Sequence, residues 1–266
     1  MTAGGEATVQ AEALTPPTRR RAAAPRWLPF LISLAIVVTA WEGVARLADT
    51  IVFPPLSEIL PELWKFIVDG TIFDPLTVSL MTLAVGMFLS IFIGVGLGAL
   101  MARFRTVEWA LDVYINGLMA APMVAFVPVF ILLFGIGIET RILTVVVFAI
   151  FPIIINTFAG LRNVDPSIVE MAESFGASEW SLFWRVRVPA SAPLLRAGIR
   201  LGTARGVKGL INGEVLVAVV GLGALVNQYG TAFSMDRLYA LIFFIVALAL
   251  VIVWLAGWVT RQLVRA

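Results

Sequence analysis

Hydrophobic positions in this chain gather in long blocks separated by shorter polar stretches, without the two-residue alternation that marks half-buried strands. From about residue 28 to 47 the chain is almost continuously apolar, and comparable blocks recur at about 76–101, 109–134, 142–161, 194–220 and 238–263. A helix needs roughly 20 such residues to cross the hydrocarbon layer, so the pattern predicts an all-α integral membrane protein with six transmembrane helices. Two polar stretches keep a helical rhythm of their own. Over residues 56–69, Leu56, Ile59, Leu60, Leu63, Trp64 and Ile67 recur at helical spacing, while Glu58, Glu62, Lys65 and Asp69 take the other face. That predicts a short amphipathic helix on the outer, periplasmic surface.

The second polar stretch, 165–189, lies between the fourth and fifth blocks and is far longer than the usual loop of about 4–6 residues. Asp165-Pro166-Ser167 is a helix start, followed by an apolar face of Ile168, Val169, Met171, Ala172 and Phe175, with a stop at Gly176. Ser178 caps a second helix with Glu179 at its positive end and Leu182, Phe183 and Val186 as its apolar side; Pro189 is expected to end it. Periodicity alone describes an interfacial hairpin.

Composition narrows the function. The 266 residues are 60% hydrophobic and 14% charged, against about 25% charged in soluble domains. With no cysteine and no histidine, thiol nucleophiles, thiolate metal sites and the commonest general base are missing. Only a Ser–Lys or paired-Asp arrangement would remain for a hydrolase, and no two aspartates fall at membrane depth. Most of the arginines fall on one side of the predicted spans, with Arg103, Arg105, Arg162, Arg185 and Arg187 among them, while Arg46, Lys65, Arg141 and Arg237 fall on the other. This positive-inside bias places both termini in the cytoplasm, makes residues 1–26 a disordered cytoplasmic tail, and accounts for the basic residues without any nucleic acid.

Within the spans, Gly86, Ser90, Gly94 and Gly98 recur every fourth residue and predict a helix-packing seam. The Gly94–Gly98 run lacks a preceding strand and is no phosphate loop; no Walker A lysine motif occurs. Lys208 and Glu214 are charges at membrane depth, each costing about 2.5–3.5 kcal/mol on insertion scales. They lie on different faces of one helix and need separate partners. Lys208 is a candidate for an anion path or a snorkelling lysine, and Glu214 a gate, a subunit contact or a satisfied buried carboxyl. Gly206, Gly209 and Gly213 beside them predict close backbone contact or a kink, and Asn212 a bond to another helix. Asn116, Met119, Met123 and Asn156 are weaker path candidates.

Glu170-Met171-Ala172, three residues, Gly176, nine residues, then Val186-Arg187-Val188-Pro189 resembles the EAA loop of permease subunits in ATP-binding-cassette importers. Met171, Val186 and Val188 replace Ala, Ile and Leu and keep the apolar character. The likeness runs from about Trp41 to Leu263 and is nearest to the nitrate, sulfonate and taurine branch, through Phe53-Pro54-Pro55, Pro122 to Pro128, Phe151-Pro152-Ile153, Glu214 and Gly221-Leu222-Gly223. Lys208 departs from that branch. The resemblance implies a type I importer permease fold over 27–266 in a bacterial inner membrane, with 165–189 as a cytoplasmic coupling loop. Its coupling residues would be Glu170, Met171, Ala172, Gly176, Ala177, Val186, Val188 and Pro189. It implies no cofactor on this chain, ATP and Mg being held by two partner ATPase subunits, together with a second permease copy as homodimer partner and a solute-binding protein. The solute would be small and anionic. The alternative is an ion-coupled secondary transporter, which would show relay residues in repeated halves; the sequence has no such duplication.

Overall fold

The computed structural model describes residues 27–217 and 219–263, so the tail expected over 1–26 lies outside the described residues. Among those described, all regular structure is helical. The order is α1 (Leu28–Ala48), α2 (Leu56–Val68), α3 (Phe73–Arg103), α4 (Arg105–Ala120), a 3-10 turn Met123–Ala125, α5 (Phe126–Phe134) and α6 (Ile138–Arg162). Then come α7 (Pro166–Ser174), α8 (Glu179–Leu182), a π turn Phe183–Arg187, α9 (Val188–Val217), α10 (Leu222–Thr231) and α11 (Met235–Leu263). Helices α1, α3, α6 and α11 are each long and apolar enough to cross a membrane, and the number rises to 6 if the bent pairs, α4 with α5 and α9 with α10, each count as one span.

The core is organised around α6, which lies between two glycine-rich helices. On one side is the predicted seam of α3: a Cβ at Gly86 would stand 2.6 Å from Val145, one at Gly94 2.9 Å from Ile153, and one at Gly98 2.7 Å from the Ile154 carbonyl. On the other side α9 does the same, Gly202 against Ile153 at 2.7 Å and Gly209 against Phe148 at 2.8 Å. The α9 glycines therefore serve close approach. Without a hydrophobic drive between helices in lipid, such contact supplies the dispersion energy of association. Leu83, Met87, Val145, Ala149, Ile153, Val207 and Leu210 form the buried cluster at this junction.

Helix α2 carries two apolar sides. Ile59 and Phe66 are buried, Phe66 stacking on Tyr229 of α10 at 5.8 Å, while Leu60, Trp64 and Ile67 stay exposed. Glu62, assigned to the polar face from periodicity, is buried instead, because Arg237 at the start of α11 donates to it at 3.2 Å and Lys65 pairs with it from the next turn.

Three further expectations change. The block 109–134 is not one helix but two, bent by 92°. Pro122 forces Ala121 out of the helical region, to ψ 147, and ends α4 there. Pro189 does not end the second loop helix. The Val188 N–H reaches back to the Phe183 carbonyl, so the turn that the proline ring would strike is already widened, and the helix continues into α9. Finally, residues 222–231, which lie between the fifth and sixth blocks and to which the apolar pattern gives no helix, form a helix of their own.

Candidate functional site

The loop between α6 and α9 is a closed hydrogen-bonded unit. The Asp165 carboxylate accepts the Ser167 N–H at 2.9 Å, and that backbone bond holds its pKa below the ordinary range. Pro166 follows at the first helical position, where a missing N–H costs nothing. Helix α7 ends on Gly176 at φ +77, with the Gly176 N–H donating to the Glu173 carbonyl at 2.8 Å and the Ala177 N–H to the Ala172 carbonyl at 3.1 Å. This paired closure needs a left-handed residue, which glycine supplies without strain. Ser178 caps α8 by accepting the Ser181 N–H at 3.3 Å.

The loop presents an apolar surface that nothing among the described residues covers. Phe175 is 85% exposed and Trp180 73%, and Met171 and Ile168 are exposed beside them. Ala172, Ala177, Val186 and Val188 are half-buried, Leu182 is buried, and Glu170 and Pro189 face outward. An Arg103–Glu179 pair at 3.5 Å ties α8 to the end of α3.

At the opposite end of α9 the arrangement is inverted. Glu214 is fully buried. Ser79 Oγ of α3 lies 2.7 and 2.8 Å from its two carboxylate oxygens, and the Gly223 N–H donates to Oε2 at 3.0 Å. Ser79 Oγ in turn accepts the Leu222 N–H at 2.9 Å. Gly221, at φ +89, folds the chain over the carboxylate, and a Cβ on Gly223 would stand 2.5 Å from Glu214 Cβ. Arg141 of α6 is buried within electrostatic reach of this carboxylate, its Nε donating to the Gly137 carbonyl at 3.4 Å. The structure places Glu214 as a clasp joining α3, α9 and α10.

The outward side of α9 carries a polar stripe. Lys208 is exposed and Asn212 half-buried, and one turn before them lies Arg205, also half-buried, with Leu201 and Leu216 exposed at the stripe's ends. Arg205 went unremarked in the sequence, although its i,i+3 spacing to Lys208 was the signal. Lys208 and Glu214 point apart, as their spacing requires.

The remaining candidates do not converge on that stripe. Asn156 lies in the α6–α9 seam, where Gly198 approaches it, and donates to the Pro152 carbonyl at 2.8 Å. Asn116 is exposed on α4 and donates to Asp112 at 2.9 Å. Met119 is exposed nearby, and Met123 packs after the break against the cluster of Met101, Ile115, Phe151 and Ile154.

Residues 86–265 match the family described as binding-protein-dependent transport system inner membrane component. The taurine transport system permease protein of Escherichia coli is 28% identical over 215 residues, covering 78% of each chain. The riboflavin transport system permease protein of Chloroflexus aurantiacus is 29% identical over 236 residues, 88% of each. A formylaminopyrimidine transport permease protein of Halalkalibacterium halodurans is 30% identical over 216 residues, 81% of this chain and 86% of its own. Among solved structures, an inward-facing form of the MetNI methionine ABC transporter aligns with TM-score 0.55 at 20% identity, over 71% of this chain and 92% of that one. That likeness is one of fold.

Proposed function

The chain belongs to the family of binding-protein-dependent transport system inner membrane components, and from that premise we propose that it imports a small anionic organic solute, working as a pair of identical copies. An external solute-binding protein delivers the solute, and two cytoplasmic ATPase subunits, holding ATP and Mg, drive the cycle.

The relatives carry taurine, riboflavin and formylaminopyrimidine in their names at nearly equal identity, so the solute class must come from this chain's own residues. The observation that carries it is the stripe on the outward side of α9 formed by the exposed Lys208 with the half-buried Arg205 and Asn212. Two cations at membrane depth persist where water or an anion compensates them. Two copies facing one another across a path set four such charges around it, with Asn212 as a neutral hydrogen-bond partner.

The coupling loop supplies the drive. Its exposed apolar residues, Met171 and Phe175 foremost, seat in the ATPase. A movement there passes through Gly176 and α8 into α9, since the helix is continuous from Glu179 to Val217. Tilting that rod turns the stripe from one side of the membrane to the other, which is alternating access by rigid-body motion. The arginine-rich loop end lies in the cytoplasm and the Glu214 end outside.

The test is uptake into proteoliposomes containing the permease, its ATPase and its binding protein, with a sulfonate as solute. Lys208→Gln is expected to raise KM about tenfold or more, the loss of one charge-assisted contact, and Lys208→Arg to restore most of it. Equal loss for anionic and neutral solutes would remove the anion assignment. Uptake driven by an ion gradient without the ATPase would overturn the whole reading.

A further inference from the structure

Two hollows of opposite character meet where the coupling loop joins the bundle. The first, about 410 Å³, is walled by Arg103, Arg105, Arg162 and Arg187 against the single carboxylate of Glu170. Arg103 and Arg162 have acidic partners, Glu179 at 3.5 Å and Glu108 at 2.5 Å. Arg105 and Arg187 make no ion pair among the described residues, and Arg105 rests over the Trp109 ring at 5.7 Å. The second hollow, about 600 Å³, is a groove between α3 and α8 lined by Gly96, Ala99, Leu100, Phe104, Trp180 and Phe183, with Glu179, the partner of Arg103, as its one carboxylate. Arg103 lines both.

We propose that the two hollows form one binding site for a phospholipid with an anionic headgroup, its phosphate in the arginine cleft and an acyl chain along the groove. Guanidinium groups match phosphate oxygens in charge and in bidentate geometry. The positive-inside bias explains why arginines gather at this end but not why an apolar groove opens beside the unpaired ones. A free phosphate would leave the groove empty, and a hydrocarbon would leave the cleft uncompensated. Only an amphiphile satisfies both. Trp180, exposed at the groove's rim, suits the headgroup level, where indoles concentrate. A lipid seated there would bridge the α3–α4 turn and the first turns of α7, whatever solute is carried.

The experiment is native mass spectrometry of the full chain, released from mild detergent with phosphatidylglycerol and phosphatidylcholine supplied equally. Preferential retention of phosphatidylglycerol is expected. Arg105→Gln with Arg187→Gln should weaken it roughly twenty-five-fold, on the order of fivefold for each cation removed. Gly96→Leu should weaken both lipids by blocking the groove; a Cβ there meets open space, so folding is spared. Equal retention of the two lipids, or retention unchanged by both sets of substitutions, would overturn the proposal. So would displacement by millimolar inorganic phosphate, which would mark a phosphate site alone, or loss of lipid on binding the ATPase subunit, which would assign the surface to that partner.

Discussion

At one end of α9 the chain closes on itself, and at the other it stops short of doing so. The Glu214 end holds a carboxylate with its hydrogen bonds met by Ser79 and Gly223 and with Gly221 folded over it. The loop end satisfies its backbone just as thoroughly, through Asp165, Ser178 and the Gly176 turn, yet leaves Phe175 and Met171 bare among the described residues. Polar satisfaction is thus common to both ends, and apolar burial separates them. A rigid, capped element with an uncovered apolar face is what a docking surface requires, since little ordering entropy remains to be lost on binding.

The contrast breaks most visibly at the closed end. Glu214→Ala strips Ser79 Oγ and the Gly223 N–H of their shared acceptor inside a buried network and is expected to destabilise the protein by about 3–5 kcal/mol. Thermal unfolding in detergent checks this, and hydrogen exchange should show α10 released first; an unchanged melting temperature would mean that the clasp carries no weight. A smaller effect belongs to α2. The Lys65 ammonium, with Arg237 beyond it, holds the Glu62 carboxyl below the ordinary range against the opposing effect of burial. A depressed folded pKa means stability that is present above the unfolded value, near about 4.3, and lost as pH falls through the folded one. Exchange in α2 should therefore rise below about pH 4 while α6 stays protected, and Glu62→Gln should abolish that dependence. The smallest change in stability is expected at the open end. Phe175→Ser should shift unfolding by no more than about 0.5 kcal/mol, yet lower ATPase stimulation in the assembled transporter. A large loss of stability there would show that Phe175 belongs to the chain's own packing.

The asymmetry was only half visible in the sequence. The α3 seam could be read from Gly86, Ser90, Gly94 and Gly98, because one helix face is a local property with a fixed period. The loop caps were legible for the same reason: Asp165, Gly176 and Ser178 each act within a few residues of themselves. What could not be read was long-range. Glu62 sits on the polar face of its own helix, and besides its neighbour Lys65 it meets Arg237, far along the chain, which periodicity cannot show. Ser79 gives no local sign that it will meet Glu214. Pro122 and Pro189 look alike as breakers, yet one ends a helix and the other continues through a π turn, which depends on the register of the preceding residues. Arg205 on its own is one more basic residue, and only its spacing to Lys208 and Asn212 on a single helix face makes it part of a stripe.

The two glycine stripes facing α6 also bear on how the protein enters the membrane. Helix α9 is not among the helices apolar enough to cross alone, and Arg205 and Lys208 together weigh against its partition by about 5–7 kcal/mol on translocon scales. A ribosome delivers α3 and α6 before α9. The bulky side chains of α6 are then already in place when the glycines of α9 arrive, and a segment too polar for lipid can leave the translocon sideways onto protein. The order of the helices along the chain thus puts the surface of α6 in place before the charged span whose glycines pack against it.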